Sequence, residues 1–402
     1  WLAVSVLCAL GMLGYYKYAD FFLENWNRMT GGNVRLLQLV LPAGISFYTF
    51  QALSYTIDVY QGKIKATHDI VAFFAYISFF PQLVAGPIER ATHLLPQFLR
   101  PRNFDCDLAL DGIRQMLWGF FKKVVVADNC ALFVNGVFEN YQTLDGSTLF
   151  LGAFFFTIQI YGDFSGYSDI AIGCARLFGI DLMQNFKYPY FSRDIAEFWR
   201  RWHISLTTWF RDYIYIPLGG SRVGKWKSFR NTLVIFLVSG FWHGANWTFV
   251  AWGAYHALLF LPLLLLGQNR RYRDSVAENS FLPSVKELTQ MGVTFLLVLL
   301  GWILFRSEDI SQAAVYLERM FNASLFSAPQ LVGLGFGQLL LKKCFFFTAL
   351  MFIVEWIGRK QAHGLMIEDL SLPVRYVIYT VLLIIIYGFD ASNPQGFIYF
   401  QF

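Results

Sequence analysis

Long apolar runs separated by short polar loops constrain this chain more than any other feature of its sequence. The runs lie at about residues 1–19, 36–60, 69–86, 112–134, 148–178, 231–266, 288–306, 341–358 and 373–390. A helix of roughly 18 apolar residues or more is long enough to cross a lipid bilayer. Only 15% of the residues are charged, whereas soluble domains carry about 25%. We therefore expect an all-α, polytopic membrane bundle of about nine to eleven segments.

Charge and cysteine usage argue against several classes of protein. The 32 basic and 27 acidic residues give a net charge of +5, and the basic residues are spread through short loops, so we expect no nucleic-acid partner. The five cysteines show no paired spacing, which predicts neither a disulfide framework nor a metal site. No polar stretch is long enough for a second domain, and residues 1–402 are interpreted as one membrane domain. Since Trp1 already lies in an apolar run, we expect membrane helices upstream of it.

One polar stretch is rich in aromatic residues. On a helical wheel, residues 193–213 place their charged side chains on one arc. The opposite arc carries Phe198, Trp199, Trp202, Leu206, Trp209, Phe210 and Tyr213. This pattern predicts a single amphipathic helix that lies at the membrane interface and begins at Asp194 or at Ser192. His203 falls on the boundary between the two arcs.

The longest apolar run, 231–266, has basic segments on both sides, at 222–230 and 268–273. Positive flanks favour the cytoplasmic face. Thirty-six helical residues would measure about 54 Å, which is too long for one crossing of a roughly 30 Å core. The run is therefore predicted to fold back on itself at residues 240–246, with unequal arms of about 12 and 20 residues. The depth of the break in the membrane stays open.

Ionisable side chains within apolar runs are candidate functional groups, because placing them in a membrane costs free energy. His243 lies between Gly240 and Gly244. A neutral imidazole can take a proton from a hydroxyl, and it can also simply satisfy a carbonyl at a helix break. Asp163 and Tyr167 are four residues apart and share a helix face, which favours packing or tunnel lining over direct catalysis.

Several motifs resemble the membrane-bound O-acyltransferase family, and in particular its bacterial, alginate O-acetyltransferase-like branch. They are PAGISFYTF at 42–50, FPQLVAGPI at 80–88, YGDFSGYSD at 161–169, NF at 185–186, PY at 189–190, FWRRWHIS at 198–205, GFWHGAN at 240–246 and FIYFQF at 397–402. The match is weak around 267–345. The resemblance implies a helical bundle around a tunnel, with His243 as its deep histidine and general base and His203 as the second motif histidine.

The same resemblance implies the substrates and partners. Acetyl-CoA would be the acyl donor on the cytoplasmic side of a bacterial inner membrane, and no metal is expected. The acceptor would be an extracytoplasmic polysaccharide or a periplasmic Ser-His-Asp type acetyltransferase that works with polysaccharide-export machinery. The residues expected to bind substrate or line the tunnel are Trp199, Arg200, Trp202, Trp242, Asn246, Asp163 and Tyr167.

Two functions of other classes also fit the residues. A proton-coupled transporter or channel would use Asp163 and His243 as a relay and the broken 231–266 segment as its binding site, although the sequence contains no internal repeat. A non-catalytic scaffold of a polysaccharide-export complex would need its histidines only for structure. The residues leave the role of His256 open, and they leave the acceptor polymer open among alginate, peptidoglycan, cellulose and other exopolysaccharides.

Overall fold

The computed structural model describes residues 1–331, 337–389 and 396–398, and within these ranges the chain forms helices and no strands. The α-helices are α1 (Leu2–Leu13), α2 (Ala19–Thr30), α3 (Ile45–Tyr60), α4 (Ile70–Ser78), α5 (Phe80–Leu83), α6 (Ala91–Leu99), α7 (Cys106–Phe120), α8 (Asp128–Glu139), α9 (Gly146–Leu177), α10 (Ile195–Arg201), α11 (Ile204–Phe210), α12 (Lys225–His243), α13 (Trp247–Leu265), α14 (Val285–Arg306), α15 (Ile310–Met320), α16 (Gln338–Ile357) and α17 (Leu372–Gly388). The π-helical turns Gly14–Tyr18, Phe121–Ala127 and Arg211–Tyr215 continue α1, α7 and α11, and single 3-10 turns form at Pro189–Phe191 and Ala323–Phe326. Residues 399–402 of the C-terminal motif and the end of the last apolar run lie outside the described residues.

The membrane-spanning character of the chain is clearest in three helical segments. Among the described residues, Leu2–Thr30, Trp247–Leu265 and Val285–Arg306 are long and apolar enough to cross a bilayer. The all-α expectation is thus confirmed, whereas the count of nine to eleven segments stays a prediction. Other apolar runs give shorter or more polar helices. The run at 69–86, for example, is divided at Phe79, whose ψ of 107° ends α4.

The predicted fold-back of the longest apolar run is confirmed by an antiparallel hairpin of α12 and α13. The two backbones touch through glycines, because a Cβ on Gly240 would lie 2.2 Å from the carbonyl oxygen of Phe249, and one on Gly253 would lie 2.3 Å from that of Phe236. The expected length of about 20 residues is confirmed for the second arm, whereas that of about 12 for the first arm was wrong. Helix α12 begins at Lys225, inside the basic segment, so both arms have 19 residues, or about 28 Å each. The break lies at the end opposite the basic flanks.

Helix α9 is the central helix of the fold, and most of its 32 residues are buried. It crosses α7 at paired glycines. A Cβ on Gly119 would lie 2.6 Å from the carbonyl oxygen of Gly166, and one on Gly173 would lie 2.3 Å from that of Gly112. Because side chains are missing from both surfaces, the helices approach closely. The polar residues of α9 between 159 and 169 are consequently held inside the protein.

The predicted single amphipathic helix over 193–213 is wrong. The chain forms α10 and α11 instead, and His203 between them adopts the left-handed conformation, with φ 44° and ψ 54°. The physical reason is burial, because a helix lying on a surface keeps its charged arc in water, whereas Glu197 is 1% and Arg201 8% exposed. Glu197 lies 3.0 Å from Arg193 and 2.7 Å from Arg201, so the charged arc is neutralised internally. Of the two predicted starting points, Asp194 is the N-cap.

A histidine outside the membrane-spanning segments ties α6 to the segment after α9. His93 Nδ1 lies 2.8 Å from Glu89 Oε2, and its Nε2 lies 3.3 Å from Asp181 Oδ2. Hydrogen bonds to the carboxylates of Asp181 and Glu89 raise the pKa of His93 to about 10. The imidazolium form therefore links the two segments near neutral pH.

Candidate active site

His243 is the last residue of α12, and it is 7% exposed. The centroid of its ring lies 5.0 Å from that of Trp242, 5.2 Å from that of Trp252 and 5.2 Å from that of Phe305. Lys17 reaches the same helix end and donates to the carbonyls of Trp242, at 2.6 Å, and of His243, at 3.1 Å. A cation at a helix C-terminus is favourable because the terminal carbonyls carry negative partial charge. Aromatic packing and this cap together fix the position of His243.

Two cavities of different size lie near the end of the α12–α13 hairpin. A small apolar cavity of about 20 Å³ is lined by Ile160, Phe164, Trp202, His243, Trp302, Phe305 and Ile398. Immediately after His243, Gly244, Ala245 and Asn246 line a larger cavity of about 520 Å³, to which Lys17, Arg306 and Glu308 also contribute. The small cavity has room for about one water-sized group, whereas the larger one has room for a substrate with polar groups.

His203 reaches the same region from the break between α10 and α11. Its ring lies 4.7 Å from that of Phe164, which lines the small cavity, and 6.3 Å from that of Trp242. It is 1% exposed rather than lying at the edge of a surface helix, and its Nδ1 is 2.9 Å from Asn185 Oδ1. The structure therefore brings the two motif histidines together, 40 residues apart in the sequence.

The predicted tryptophans surround this site at different distances. Trp202 lines the small cavity, and its ring lies 4.9 Å from that of Trp302. Trp242 adjoins His243 and stacks on Phe50 at 5.2 Å. Trp199 lies behind them, 5.0 Å from the ring of His256. Within the described part of the chain, neither ring nitrogen of the buried His256 has a hydrogen-bond partner, and its side chain is enclosed by aromatic rings.

Two predicted polar residues have structural partners at the edges of the site. Asn246 is the N-cap of α13, where it accepts from Thr248 N–H at 3.0 Å, and it donates to the carbonyl of Glu308 at 2.6 Å. Arg200 is exposed and donates to the carbonyls of Asn269, at 2.6 Å, and Tyr272, at 2.5 Å. Asn246 thus lines the larger cavity, whereas Arg200 lies outside both cavities and holds the loop after α13.

Asp163 and Tyr167 lie against the C-terminal segment 396–398. Asp163 Oδ1 is 2.7 Å from Lys123 Nζ, and its Oδ2 accepts from the backbone N–H of Ile398 at 2.7 Å. Tyr167 packs its ring 5.2 Å from that of Phe397. Because Ile398 lines the small cavity, Asp163 fixes part of the cavity wall. Both of its oxygens therefore have partners.

Sequence reasoning missed a buried ionic cluster beside the site. Lys122 Nζ lies 2.6 Å from Asp169 Oδ2 and 3.9 Å from Glu355 Oε1, and Tyr161 donates to Glu355 at 2.9 Å. With Asn185, these residues line a second cavity of about 20 Å³. The sequence did contain a signal, since Lys122 and Glu355 are charged residues inside the apolar runs 112–134 and 341–358. Among the described residues, no three His, Cys, Asp or Glu side chains are grouped to hold a metal.

A helical membrane fold with two buried histidines at a cavity defines a recognisable class of protein. Residues 63–281, more than half of the chain, match the membrane-bound O-acyltransferase family, and the chain belongs to that family. It is similar to the probable alginate O-acetylase AlgI of Pseudomonas aeruginosa, with 41% identity over 350 residues, which cover 85% of this chain and 65% of the relative.

Relatives whose names give other activities match as well. The peptidoglycan O-acetyltransferase of Helicobacter pylori is 36% identical over 351 residues, which cover 80% of this chain and 64% of that protein. The teichoic acid D-alanyltransferase of Bacillus subtilis is 28% identical over 284 residues, which cover 67% of this chain and 70% of that protein. The chain spans about two thirds of the length of these relatives.

Proposed function

We propose that this protein is an O-acetyltransferase of the bacterial inner membrane, which passes an acetyl group from acetyl-CoA to a hydroxyl on an extracytoplasmic acceptor. One observation carries the proposal: His243 and His203 are buried close to each other, and His243 lines a small apolar cavity beside a larger cavity that begins at Gly244. Family membership supports acyl transfer as the reaction type, and the names of two relatives support acetyl as the group and a hydroxyl of a cell-surface polymer as its destination.

The chemistry follows from the position of His243. The acceptor hydroxyl attacks the carbonyl carbon of the acetyl thioester while the His243 imidazole takes the hydroxyl proton. The tetrahedral intermediate then collapses, the C–S bond breaks, and the CoA thiolate receives the proton from the imidazolium. The products are the O-acetyl ester and CoA with a free thiol. Burial favours this route because it excludes the water that would otherwise hydrolyse the thioester.

The two cavities suit different substrates, one the acetyl group of the donor and the other the acceptor. The small cavity beside His243 is apolar and of about 20 Å³, which suits the methyl group of an acetyl and disfavours a long acyl chain. The larger cavity of about 520 Å³ carries Lys17, Asn246, Arg306 and Glu308. Side chains of this kind suit a hydroxyl-bearing acceptor, either the polysaccharide itself or a loop of a periplasmic Ser-His-Asp type acetyltransferase that relays the group to polysaccharide-export machinery.

The phosphates of acetyl-CoA need a cationic surface at the cytoplasmic end. The guanidinium groups of Arg200 and Arg201 donate hydrogen bonds to backbone carbonyls of the 269–274 loop. Arg193 and Arg201 also form salt bridges with Glu197. The exposed basic residues at the start of α12 remain available, namely Arg222, Lys225 and Lys227. We therefore place the donor phosphates at the 222–230 segment, where charge-assisted hydrogen bonds favour them.

The proposal is tested by replacing His243 in the protein reconstituted into proteoliposomes. Transfer from radiolabelled acetyl-CoA to alginate oligosaccharides is measured per folded molecule. A general base contributes roughly 10²–10⁴-fold to rate, so His243→Ala and His243→Gln should both lose activity by that order. His68→Ala, at an exposed loop position, is the matched control and should retain the wild-type rate. A stable Gln variant with near-normal turnover would refute the role of His243, because glutamine keeps a hydrogen bond but cannot act as a base.

A further inference from the structure

The left-handed backbone of His203 is held by a short segment that precedes α10. A non-glycine residue in this conformation is strained and persists only where its surroundings enforce it. Here the carbonyl of Asn185 accepts from Ile204 N–H at 2.8 Å, and Lys187 N–H donates to the carbonyl of Arg201 at 2.9 Å. These bonds fix the chain on both sides of His203. Strained residues cluster at functional sites, and the imidazole of His203 has a specific partner in the same segment.

The side-chain oxygen of Asn185 is an acceptor for three groups. It lies 2.9 Å from His203 Nδ1, 2.9 Å from Ser205 Oγ and 3.4 Å from the backbone nitrogen of Ser205. A backbone N–H can only donate, so the group facing it is the amide oxygen rather than the amide nitrogen. Ser205 Oγ itself accepts from Ile88 N–H at 2.9 Å, which leaves its proton for Asn185. The amide nitrogen points the other way and donates to Ser168 Oγ at 3.2 Å.

This orientation determines the tautomer of His203. Because an amide oxygen cannot donate, the Nδ1 that faces it must carry the proton. In the neutral imidazole, Nε2 then carries a lone pair. Nε2 is buried and has no hydrogen-bond partner among the residues that the structure describes, and the ring lies against Phe164, which lines the small cavity. A buried acceptor without a partner is destabilising because it has lost its hydration, and a substrate group that donates to it would remove this cost.

We propose that Asn185 is a positioning residue, which fixes His203 as the Nδ1–H tautomer so that Nε2 accepts a hydrogen bond from an N–H or O–H group of the substrates. The inference rests on the proposed function and assigns a role to His203, the second motif histidine, as a hydrogen-bond acceptor for a substrate. Neutral His203 then has no N–H at Nε2, so this nitrogen cannot donate to the oxyanion of the tetrahedral intermediate. That stabilisation has to come from other groups.

The tautomer is read directly by nitrogen-15 NMR of the detergent-solubilised, histidine-labelled protein. The His203 signals are assigned by their loss in His203→Gln. A protonated Nδ1 and an unprotonated Nε2 are expected in the wild type without any substrate. An Nε2–H signal for neutral His203 would overturn the proposal, and this result would not depend on whether the protein transfers acetyl groups.

Kinetics of three variants test the consequence for turnover. Asn185→Leu removes the acceptor at similar volume and should lower kcat/KM by about 10–100-fold, the range found when the orienting partner of a metal-bound histidine is lost. Asn185→Asp keeps an acceptor for Nδ1–H and should restore most of the activity. Ser168→Ala removes only the other hydrogen bond of Asn185 and should stay within about threefold of wild type.

The outcomes separate this inference from the proposed function. A rise in KM for acetyl-CoA identifies the donor amides as the group that Nε2 binds, a rise in KM for the oligosaccharide identifies the acceptor hydroxyl, and either supports the proposal. Equal losses in the Asp and Leu variants, with wild-type thermal unfolding, would show that an acceptor at 185 is not what matters. A wild-type protein that shows the expected tautomer but transfers no acetyl group would refute the proposed function alone.

Discussion

Replacing Gly240 with alanine tests whether the close contact of α12 with α13 is what positions His243. The added Cβ would lie 2.2 Å from the carbonyl oxygen of Phe249 and 3.1 Å from its carbonyl carbon. Both are backbone atoms of the facing helix, so no side chain can turn aside to make room. Reaching a normal carbon–oxygen contact requires the helices to separate by about 1 Å. His243 is three residues further along α12 and has to move with it.

The expected magnitudes follow from that displacement. Overpacking of this kind destabilises by about 1–3 kcal/mol, and a misplacement of about 1 Å at a reacting group can lower the rate about 10²-fold. Gly240→Ala should therefore lower the rate of acetyl transfer by a large factor while most of the protein stays folded. Acetyl transfer in proteoliposomes and thermal unfolding in detergent, measured on the same preparation, give the two quantities.

A second glycine of the membrane helices supplies the control. Gly292 lies within α14 with no heavy atom within 4 Å of an added Cβ. Gly292→Ala should keep full activity and unfold at the same or a slightly higher temperature, because alanine is favoured over glycine in a helix by about 1 kcal/mol. If Gly240→Ala transfers acetyl groups within twofold of the Gly292 variant, the contact does not position His243 and the reasoning is wrong.

Three further outcomes are expected. Asp163→Ala should expose the C-terminal segment near Ile398 to limited proteolysis and lower the unfolding temperature, because a buried carboxylate that binds Lys123 and a backbone N–H is lost; unchanged proteolysis would contradict this. His93 has a pKa raised to about 10 by Asp181 and Glu89, so its contribution to stability is complete below about pH 6.5 and is lost as the pH rises through 10. The unfolding temperatures of the wild type and His93→Gln should accordingly converge over that interval, and a constant difference would rule the linkage out. Cysteines placed at Lys225 and Arg271 should be labelled from the same side of the membrane, since both lie at the open end of the α12–α13 hairpin, and labelling from opposite sides would exclude the hairpin topology.

Much of the fold was predictable from the sequence because apolar length and charge act over long stretches. The run 231–266 was too long for one crossing of the membrane, and its basic flanks predicted that both of its ends lie on the same side. That argument gave the hairpin and the break next to His243. It missed the start of α12 at Lys225. A basic segment has the same low hydropathy whether it forms a turn of helix or a loop, so hydropathy does not distinguish the two.

The break at His203 could not be predicted because it depends on partners distant in sequence. A helical wheel assumes a continuous axis, and residues 193–213 fit one well. The actual conformation follows from hydrogen bonds to Asn185 and Lys187 and from burial of Glu197 between two arginines. The Lys122 cluster could not be predicted for the same reason. Its members lie on different helices, with Asp169 on α9 and Glu355 on α16. The motifs indicated which residues matter, while tertiary contacts decide how they are oriented.

The ionic cluster of Lys122, Asp169 and Glu355 also bears on how the protein is made. A charged side chain that is buried without its partner destabilises a fold by about 3–5 kcal/mol. Lys122 and Asp169 can neutralise each other as soon as α7 and α9 have been synthesised, but Glu355 follows Asp169 by 186 residues (355 − 169). Helix α16 therefore packs favourably onto the bundle only if α7 and α9 already present Lys122 and Tyr161 to Glu355. Nascent chains should pass through a late stage in which the first half is assembled and Glu355 has not yet met these partners.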